Sequence, residues 1–379
     1  MDRLFSKIYG CDICGAIGNS MGDVTEGWSY EEIEAKWGFV DQLLPQNKFG
    51  KDGFSKDGTV SDWVLPQAYG PDFQYYGHTR PPGMTEDGHE RHRLCVSAII
   101  RKEGRITLED LAKTWLLDID PSKFGYVLGP QDQVIYYSIK GGVPPWEIGR
   151  SAVWPGLIGT SKMILPVGMV NACYPGRAAQ DALELGRIKD VRGVSGNYAI
   201  EVCSAIAAAC AEAMKMDATV DSIIDTALSF LSKRPRAEVE LGLSWAKNAD
   251  TWKDLRPLYA KKYEGFSMSN AVEVLSGGLA CFYMAAGKPR EALLYAVNLG
   301  RDCDCKAYVS GGLAGALCGI EEVPADWVKI MEEQVVTDPY TVSTRSYRES
   351  AEGLYRAAVN TMKEMSGAVD SFKELLEGK

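Results

Sequence analysis

From Glu86 onward, segments with helical periodicity follow one another almost to the end of the chain. Apolar residues recur at intervals of three and four, as in Arg91–Lys102 and Asn270–Ala286, and no run alternates between apolar and polar residues as a half-buried strand does. Several of these segments are rich in Ala, Gly and Cys, which allows neighbouring helices to pack closely. We therefore predict an all-α fold.

The length of 379 residues would suit two or three domains by size alone. No linker-like segment divides the chain, so we expect a single domain over residues 1–379. Within it, Val40–Gly83 contains six Gly, five Pro and many aromatic residues without helical periodicity. Such a stretch is either a functional lid or binding loop, or a subunit-contact arm that wraps the surface. The sequence leaves both interpretations open.

Composition excludes several classes of function. There are 41 Lys and Arg against 51 Asp and Glu, a formal charge of -10 without any basic stripe, so nucleic acid is not an expected partner. We find no signal peptide and no apolar stretch of about 18 residues, so no membrane segment is expected. The ten cysteines are scattered, which favours free buried thiols and a cytoplasmic location. A homo-oligomer is left open.

The most informative candidate site is Gly300–Cys305. Asp302 and Asp304 alternate along the chain, so they point the same way only if the backbone turns there, as at the start of a helix. Two adjacent carboxylates repel unless a positive charge lies between them, and Mg²⁺ and Ca²⁺ prefer oxygen ligands. The alternative is a solvated helix cap. The apolar, Gly-rich segment that follows makes full exposure of these acids unfavourable, which favours a metal.

A second acidic group, Thr85, Glu86 and Asp87, precedes the helix predicted at Arg91–Lys102. These residue types also form an ordinary first helical turn, in which a hydroxyl or carboxylate caps the backbone and acids stabilise the helix dipole. Taken alone, this group therefore favours a structural role. The third segment of interest, Gly15–Gly27, ends near the acid Glu26 but lacks the spacing of a dinucleotide-binding or Walker loop.

Other chemistries have weaker support. His89 and His92 are three residues apart, whereas a zincin helix needs a spacing of four. Four thiols also provide a loosely spaced zinc alternative: Cys11, Cys14, Cys303 and Cys305. No Gly-x-Ser-x-Gly motif occurs, and all three histidines lie in one short region, so nucleophilic triad catalysis is disfavoured.

These segments together resemble the ADP-ribosylglycohydrolase family, in the family's order and over most of the chain. Gly15–Glu26 is similar to the N-terminal Gly-rich motif that ends in a metal-site Glu, and Thr85–Asp87 resembles the Thr-Asp-Asp-Thr motif. Gly149–Ser151 is similar to the central Arg-Ser or Asn-Gly segment. Gly300–Cys305 and the Gly-Ala-rich segment after it are similar to the C-terminal Asp-Thr-Asp-Thr motif, and this is the most specific of the four likenesses.

The resemblance implies an all-α fold, a dinuclear Mg²⁺ centre and cleavage of a bond at the anomeric carbon of a ribose. It implies the following metal ligands: Thr85, Glu86, Asp87, Asp302, Asp304 and Cys305. Four positions depart from the family's pattern. Asn19 and Glu86 each stand in place of an Asp, and Gly88 and Cys305 each stand in place of a Thr. Because a thiol is a poor Mg²⁺ ligand, the number of ions, one or two, is left open, and Mn²⁺ is an alternative.

The resulting hypothesis is a Mg²⁺-dependent hydrolase of a ribosyl-type N- or O-glycosidic bond, acting on an ADP-ribosyl adduct or a related small molecule. Glu26 and Asp302 are the candidate catalytic groups. The candidate substrate contacts are Arg150, Gly196, Asn197 and Tyr198. Arg187 and Arg192 are further candidates for contacting phosphate. One alternative is a hydrolase of a nucleoside-like metabolite with the same fold. Another is a non-catalytic binding protein that retains the fold.

Overall fold

The structure is a computed structural model that describes residues 2–45, 80–151, 155–191 and 198–378. Most of the Val40–Gly83 stretch therefore lies outside the described residues, and so do Arg192, Gly196 and Asn197.

The predicted all-α fold is confirmed, with 71% of the chain helical. Within the described ranges, an isolated antiparallel β-bridge joins Leu157 to Asn270. The α-helices are α1 (Arg3–Gly22), α2 (Tyr30–Trp37), α3 (Asp87–Lys102), α4 (Leu108–Asp118), α5 (Pro130–Lys140), α6 (Pro145–Ile148), α7 (Leu165–Val170), α8 (Pro175–Leu185), α9 (Ala199–Ala213), α10 (Val220–Ser229), α11 (Lys233–Asn248), α12 (Leu255–Lys262), α13 (Ala271–Met284), α14 (Pro289–Val297), α15 (Cys303–Cys318), α16 (Ala325–Val335) and α17 (Tyr347–Glu377).

Short 3₁₀ turns connect several of these helices: Pro121–Lys123, Gly149–Ser151, Ile158–Met163, Gly186–Ile188, Trp252–Asp254 and Ile320–Glu322. Over the part of the chain that the structure describes, none of the helices combines the length and apolar character that a bilayer-spanning helix requires.

Helix α15 lies at the centre of the fold, where α1, α13 and α14 pack against it. The contact between α1 and α15 is unusually close because glycines face the opposite backbone. A Cβ atom on Gly18 would lie 2.5 Å from the carbonyl carbon of Ala307. Cβ atoms on Gly315 and Gly22 would overlap the backbones of Gly10 and Asp304, respectively. The Gly-rich segment of the sequence is therefore a helix that presses its backbone against the start of α15.

We predict that Gly315→Ala destabilises the protein by about 1–3 kcal/mol, because the added methyl overlaps the backbone of α1, which cannot move aside as a side chain can. Urea denaturation measures the loss. The matched control is Gly367→Ala in α17, where an added Cβ has no neighbour within 4 Å and should stabilise by about 0.5–1 kcal/mol. Equal effects of the two substitutions would show that close backbone contact does not hold α1 against α15.

Candidate active site

The first part of the site is the start of α15. Asp302 caps this helix and its Oδ1 accepts a hydrogen bond from the backbone N–H of Cys305 at 3.2 Å, while Asp304 lies in the first turn. One ligand atom from each of Asp302, Asp304 and Cys305 lies within 4.8 Å of the others. The helix entrance thus brings the two alternating aspartates together, as the sequence predicted.

The turn before α15 is held by the buried carboxylate of Glu273. Arg301 has a positive φ of 66°, a conformation that costs a non-Gly residue about 1–3 kcal/mol. Its guanidinium binds Glu273 through Nε at 2.8 Å and a second nitrogen at 3.0 Å, and Lys306 Nζ binds the same carboxylate at 3.0 Å. These three side chains therefore fix the backbone that directs Asp302 into the site.

The second part of the site is the start of α3. Glu86 caps this helix, and its carboxylate accepts hydrogen bonds from the backbone N–H groups of Gly88 at 2.9 Å and His89 at 2.6 Å. Asp87 is the first residue of α3, and 23% of its side chain is exposed. The structural interpretation of this acidic group is therefore correct for Glu86, although the same carboxylate also faces the site.

The two acidic segments meet at the ammonium of Lys162, which the 3₁₀ turn Ile158–Met163 carries. Lys162 Nζ lies 2.6 Å from Glu86 Oε2, 2.6 Å from Asp304 Oδ2 and 3.7 Å from Asp87 Oδ1. Burial alone would lower the pKa of Lys162, but the carboxylates of Asp304, Glu86 and Asp87 raise it well above its usual range. The cation that joins the early and late acids is therefore a lysine of the chain itself.

On the far side of Lys162, negative charge accumulates around Asp302. Burial and the neighbouring Asp304 carboxylate raise the pKa of Asp302 to about 7. Burial and the same two aspartates raise the pKa of Cys305 well above its usual range, so its thiol stays protonated. Buried carboxylates accept this repulsion only with a nearby positive charge or a shared proton.

These groups border a cavity of about 350 Å³, within the usual range for small-molecule sites. Its acidic lining residues are Glu26, from the residues after α1, and Asp87 of the early segment, while the late segment contributes Cys305, next to Asp304. The lining residues are Glu26, Asp87, Arg91, Gln131, Leu157, Ile158, Gly159, Lys162, Ser267, Met268, Ser269 and Cys305. Glu26 therefore lies at the cavity that the two acidic segments form.

Sequence reasoning missed two cations in this site. Arg91 binds Asp132 through Nε at 2.6 Å and a second nitrogen at 2.8 Å, and it binds Asp87 at 2.8 Å. Lys162 was the other omission. The sequence signal for Lys162 was its position directly before the apolar run Met163–Met169. A lysine in such a segment is expected to be buried, and a buried lysine is rare without a charged partner.

Other predicted site residues lie elsewhere. The hydroxyl of Thr85 donates to Asp338 at 3.3 Å. Arg150 is largely exposed, pairs with Glu147 at 2.6 Å and lines a separate cavity of about 580 Å³, which shares no lining residue with the acidic one. Arg187 lines that second cavity as well. Tyr198 precedes α9 and packs partly buried against the core.

In the described ranges, the residues close enough together to share a metal ion are Asp302, Asp304 and Cys305. Neither zinc alternative is therefore supported there. His92 instead contacts Asp12 at 2.6 Å and Tyr308 at 2.9 Å, and it stacks on His89 with ring centroids 4.8 Å apart. All ten cysteines fall within these ranges and are free.

We predict that Asp132→Asn destabilises the protein by about 3–5 kcal/mol, because it removes one partner of a buried ion pair and leaves the charge on Arg91 poorly compensated. Glu240→Gln is the matched control, since it breaks an exposed pair with Arg236 and should cost less than about 1 kcal/mol. Urea unfolding compares both variants with the wild type. Similar losses would contradict the assigned role of the Arg91–Asp132 pair.

Comparisons with known proteins identify the family and the fold. A model of the ADP-ribosylglycohydrolase family matches residues 1–363. The uncharacterized protein YegU of Escherichia coli (strain K12) is 22% identical over 377 residues, which cover 93% of this chain and 99% of that protein. A solved structure described as an ADP-ribosylglycohydrolase-related protein complex has a TM-score of 0.62 at 16% identity, over 94% of this chain and 100% of that one. The chain belongs to the ADP-ribosylglycohydrolase family and is, as that membership implies, a glycosidase-type hydrolase.

Proposed function

We propose that this chain is a divalent-metal-dependent hydrolase that cleaves the bond at the anomeric carbon of a ribose, with Mg²⁺ as the expected ion and Mn²⁺ as an alternative. One observation supports this most directly. Acids from three distant parts of the sequence, represented by Glu26, Asp87 and the Asp302–Asp304 pair, lie at or beside one cavity. Paired carboxylates around a ligand-sized cavity suit glycoside hydrolysis.

The side chains present fit one ion at the start of α15. Asp302 Oδ2 is buried and has no hydrogen-bond partner among the described residues, and it belongs to the compact group with Asp304 and Cys305. Carboxylate oxygens suit Mg²⁺ and Mn²⁺, whereas a protonated thiol does not. Asp302 and Asp304 would hold the ion, with water completing its shell. Lewis-acid polarisation of water and of ribose hydroxyls is the chemistry that a bound ion would supply.

The protein's own groups would perform the remaining work. Glu26 lines the cavity and would take the proton from the attacking water as the bond to the leaving group breaks. Asp87, partly exposed beside it, would stabilise the positive charge that develops on the ribose. Gln131 also lines the cavity, and its buried Oε1 has no hydrogen-bond partner in the part of the chain described. That oxygen would accept a hydrogen bond from a sugar hydroxyl.

Substrate identity is tested by a panel. ADP-ribosyl-arginine and free nucleosides are incubated side by side with the purified protein in Mg²⁺, Mn²⁺ or EDTA, and released products are separated by chromatography. We expect metal-dependent release from the ADP-ribosyl substrate. Preferential turnover of nucleosides would favour the nucleoside-like alternative. Equal turnover in EDTA would remove the metal from the proposal, and no turnover of any ribosyl compound would contradict it entirely.

We predict that Glu26→Gln lowers kcat by about 10²- to 10⁴-fold on the best substrate of the panel, because the amide cannot accept the proton of water. Asp225→Asn is the control, since this acid is exposed on α10. Circular dichroism and the melting temperature establish that both variants fold. If Glu26→Gln and Asp225→Asn turn over equally fast, Glu26 is not the base.

A further inference from the structure

We propose that the ammonium of Lys162 permanently occupies the position in which a second divalent ion would join the two acidic segments. The centre then holds one exchangeable ion and one lysine in place of two ions. The single ion at Asp302 and Asp304 rests on the proposed function, whereas the assignment of Lys162 rests on its own contacts and stands independently.

The first argument is geometric. Lys162 Nζ lies 2.6 Å from an oxygen of Glu86 and 2.6 Å from an oxygen of Asp304, the distances of strong charge-assisted hydrogen bonds. Mg²⁺ that used these two oxygens would lie about 2.0–2.1 Å from each of them. The nitrogen and the ion would then overlap, and their charges would repel in a buried setting. One cation or the other bridges Glu86 and Asp304, and here it is the lysine.

The second argument comes from Gly88, the second residue of α3. A Cβ atom there would overlap Cε, Cδ and Nζ of Lys162. Gly88 does not have a positive φ, so its helical backbone conformation does not require glycine. What requires glycine is the lysine side chain that passes through this space. The absence of a side chain at Gly88 and the presence of the Lys162 side chain are therefore linked by the same space.

The third argument is burial. Only 3% of the Lys162 side chain is exposed, and the Glu86 and Asp304 side chains are 3% and 1% exposed. An ammonium enclosed in this way cannot exchange with solvent as a bound ion does. The link between α3 and α15 should therefore persist when a chelator removes all divalent metal.

The experiment counts bound ions directly. Native mass spectrometry at saturating Mn²⁺ should find about one ion per wild-type chain and about two per Lys162→Met chain, because the variant frees the oxygens of Glu86 and Asp304 for a hard cation. Lys7→Met is the matched control. Lys7 is also buried, but its ammonium binds the backbone carbonyls of Ala213 and Lys215, so its removal should leave the count at about one.

Melting temperatures give a second readout. Without metal, Lys162→Met should melt below the wild type, because two buried carboxylates lose their counter-ion, and Mn²⁺ should raise its melting temperature by more than it raises that of the wild type. If the single variant does not fold in the absence of metal, the double variant Gly88→Thr with Lys162→Ala is refolded with Mn²⁺. The added Thr fills the space left by the lysine, and about two ions are expected.

The outcomes separate the two proposals. Two ions on the wild type would overturn the role of Lys162 and leave the proposed function intact. No ion on the wild type but one on Lys162→Met would support the role of Lys162 and contradict the metal dependence of the proposed function. The same ion count in the wild type and in every folded Lys162 variant would overturn the inference.

Discussion

The site depends on one buried interaction, the ammonium of Lys162 between Glu86 and Asp304. Each of these carboxylates stands at the start of a different helix, α3 or α15, and each is nearly fully buried. Buried carboxylates repel one another and lose hydration, so their convergence is unfavourable without a cation between them. Lys162 supplies that charge from a third segment. The short turn Ile158–Met163 therefore decides whether two distant helix ends can share one cavity.

The second requirement is that α15 be placed accurately against α1. Gly18, Gly22 and Gly315 allow the two backbones to approach where any side chain would separate them. As a result, the first turn of α15 lies against the last turn of α1, and Glu26, which follows α1, reaches the cavity. On the opposite side, Glu273 holds Arg301 and Lys306, and thereby the turn that aims Asp302. Packing and charge therefore act together on the same few residues.

Membership of the ADP-ribosylglycohydrolase family gives these contacts a functional meaning. Acids at helix ends can serve structure, as Glu86 does when it caps α3. The start of α15 differs, because Asp302 keeps a buried oxygen without a hydrogen-bond partner among the described residues. On this contrast we propose that the exchangeable part of the centre lies at α15 and the permanent part at Lys162. Gly88 and Cys305 then differ in kind: Gly88 leaves room for the Lys162 side chain, whereas Cys305 contributes a thiol to the group with Asp302 and Asp304.

From the sequence alone, helical periodicity predicted the all-α fold, and the acidic motifs supplied the candidate site residues. Local patterns sufficed for this, because helix periodicity and the entrance of a helix are properties of neighbouring residues. The alternation of Asp302 and Asp304 gave only the condition for their alignment, a turn at the start of a helix. The partners of these acids were only partly predictable in this way. Arg91 contacts Asp87 within the same helix, four residues apart. Lys162, by contrast, reaches the site only through packing between segments far apart in the chain, and that packing is a property of the tertiary structure.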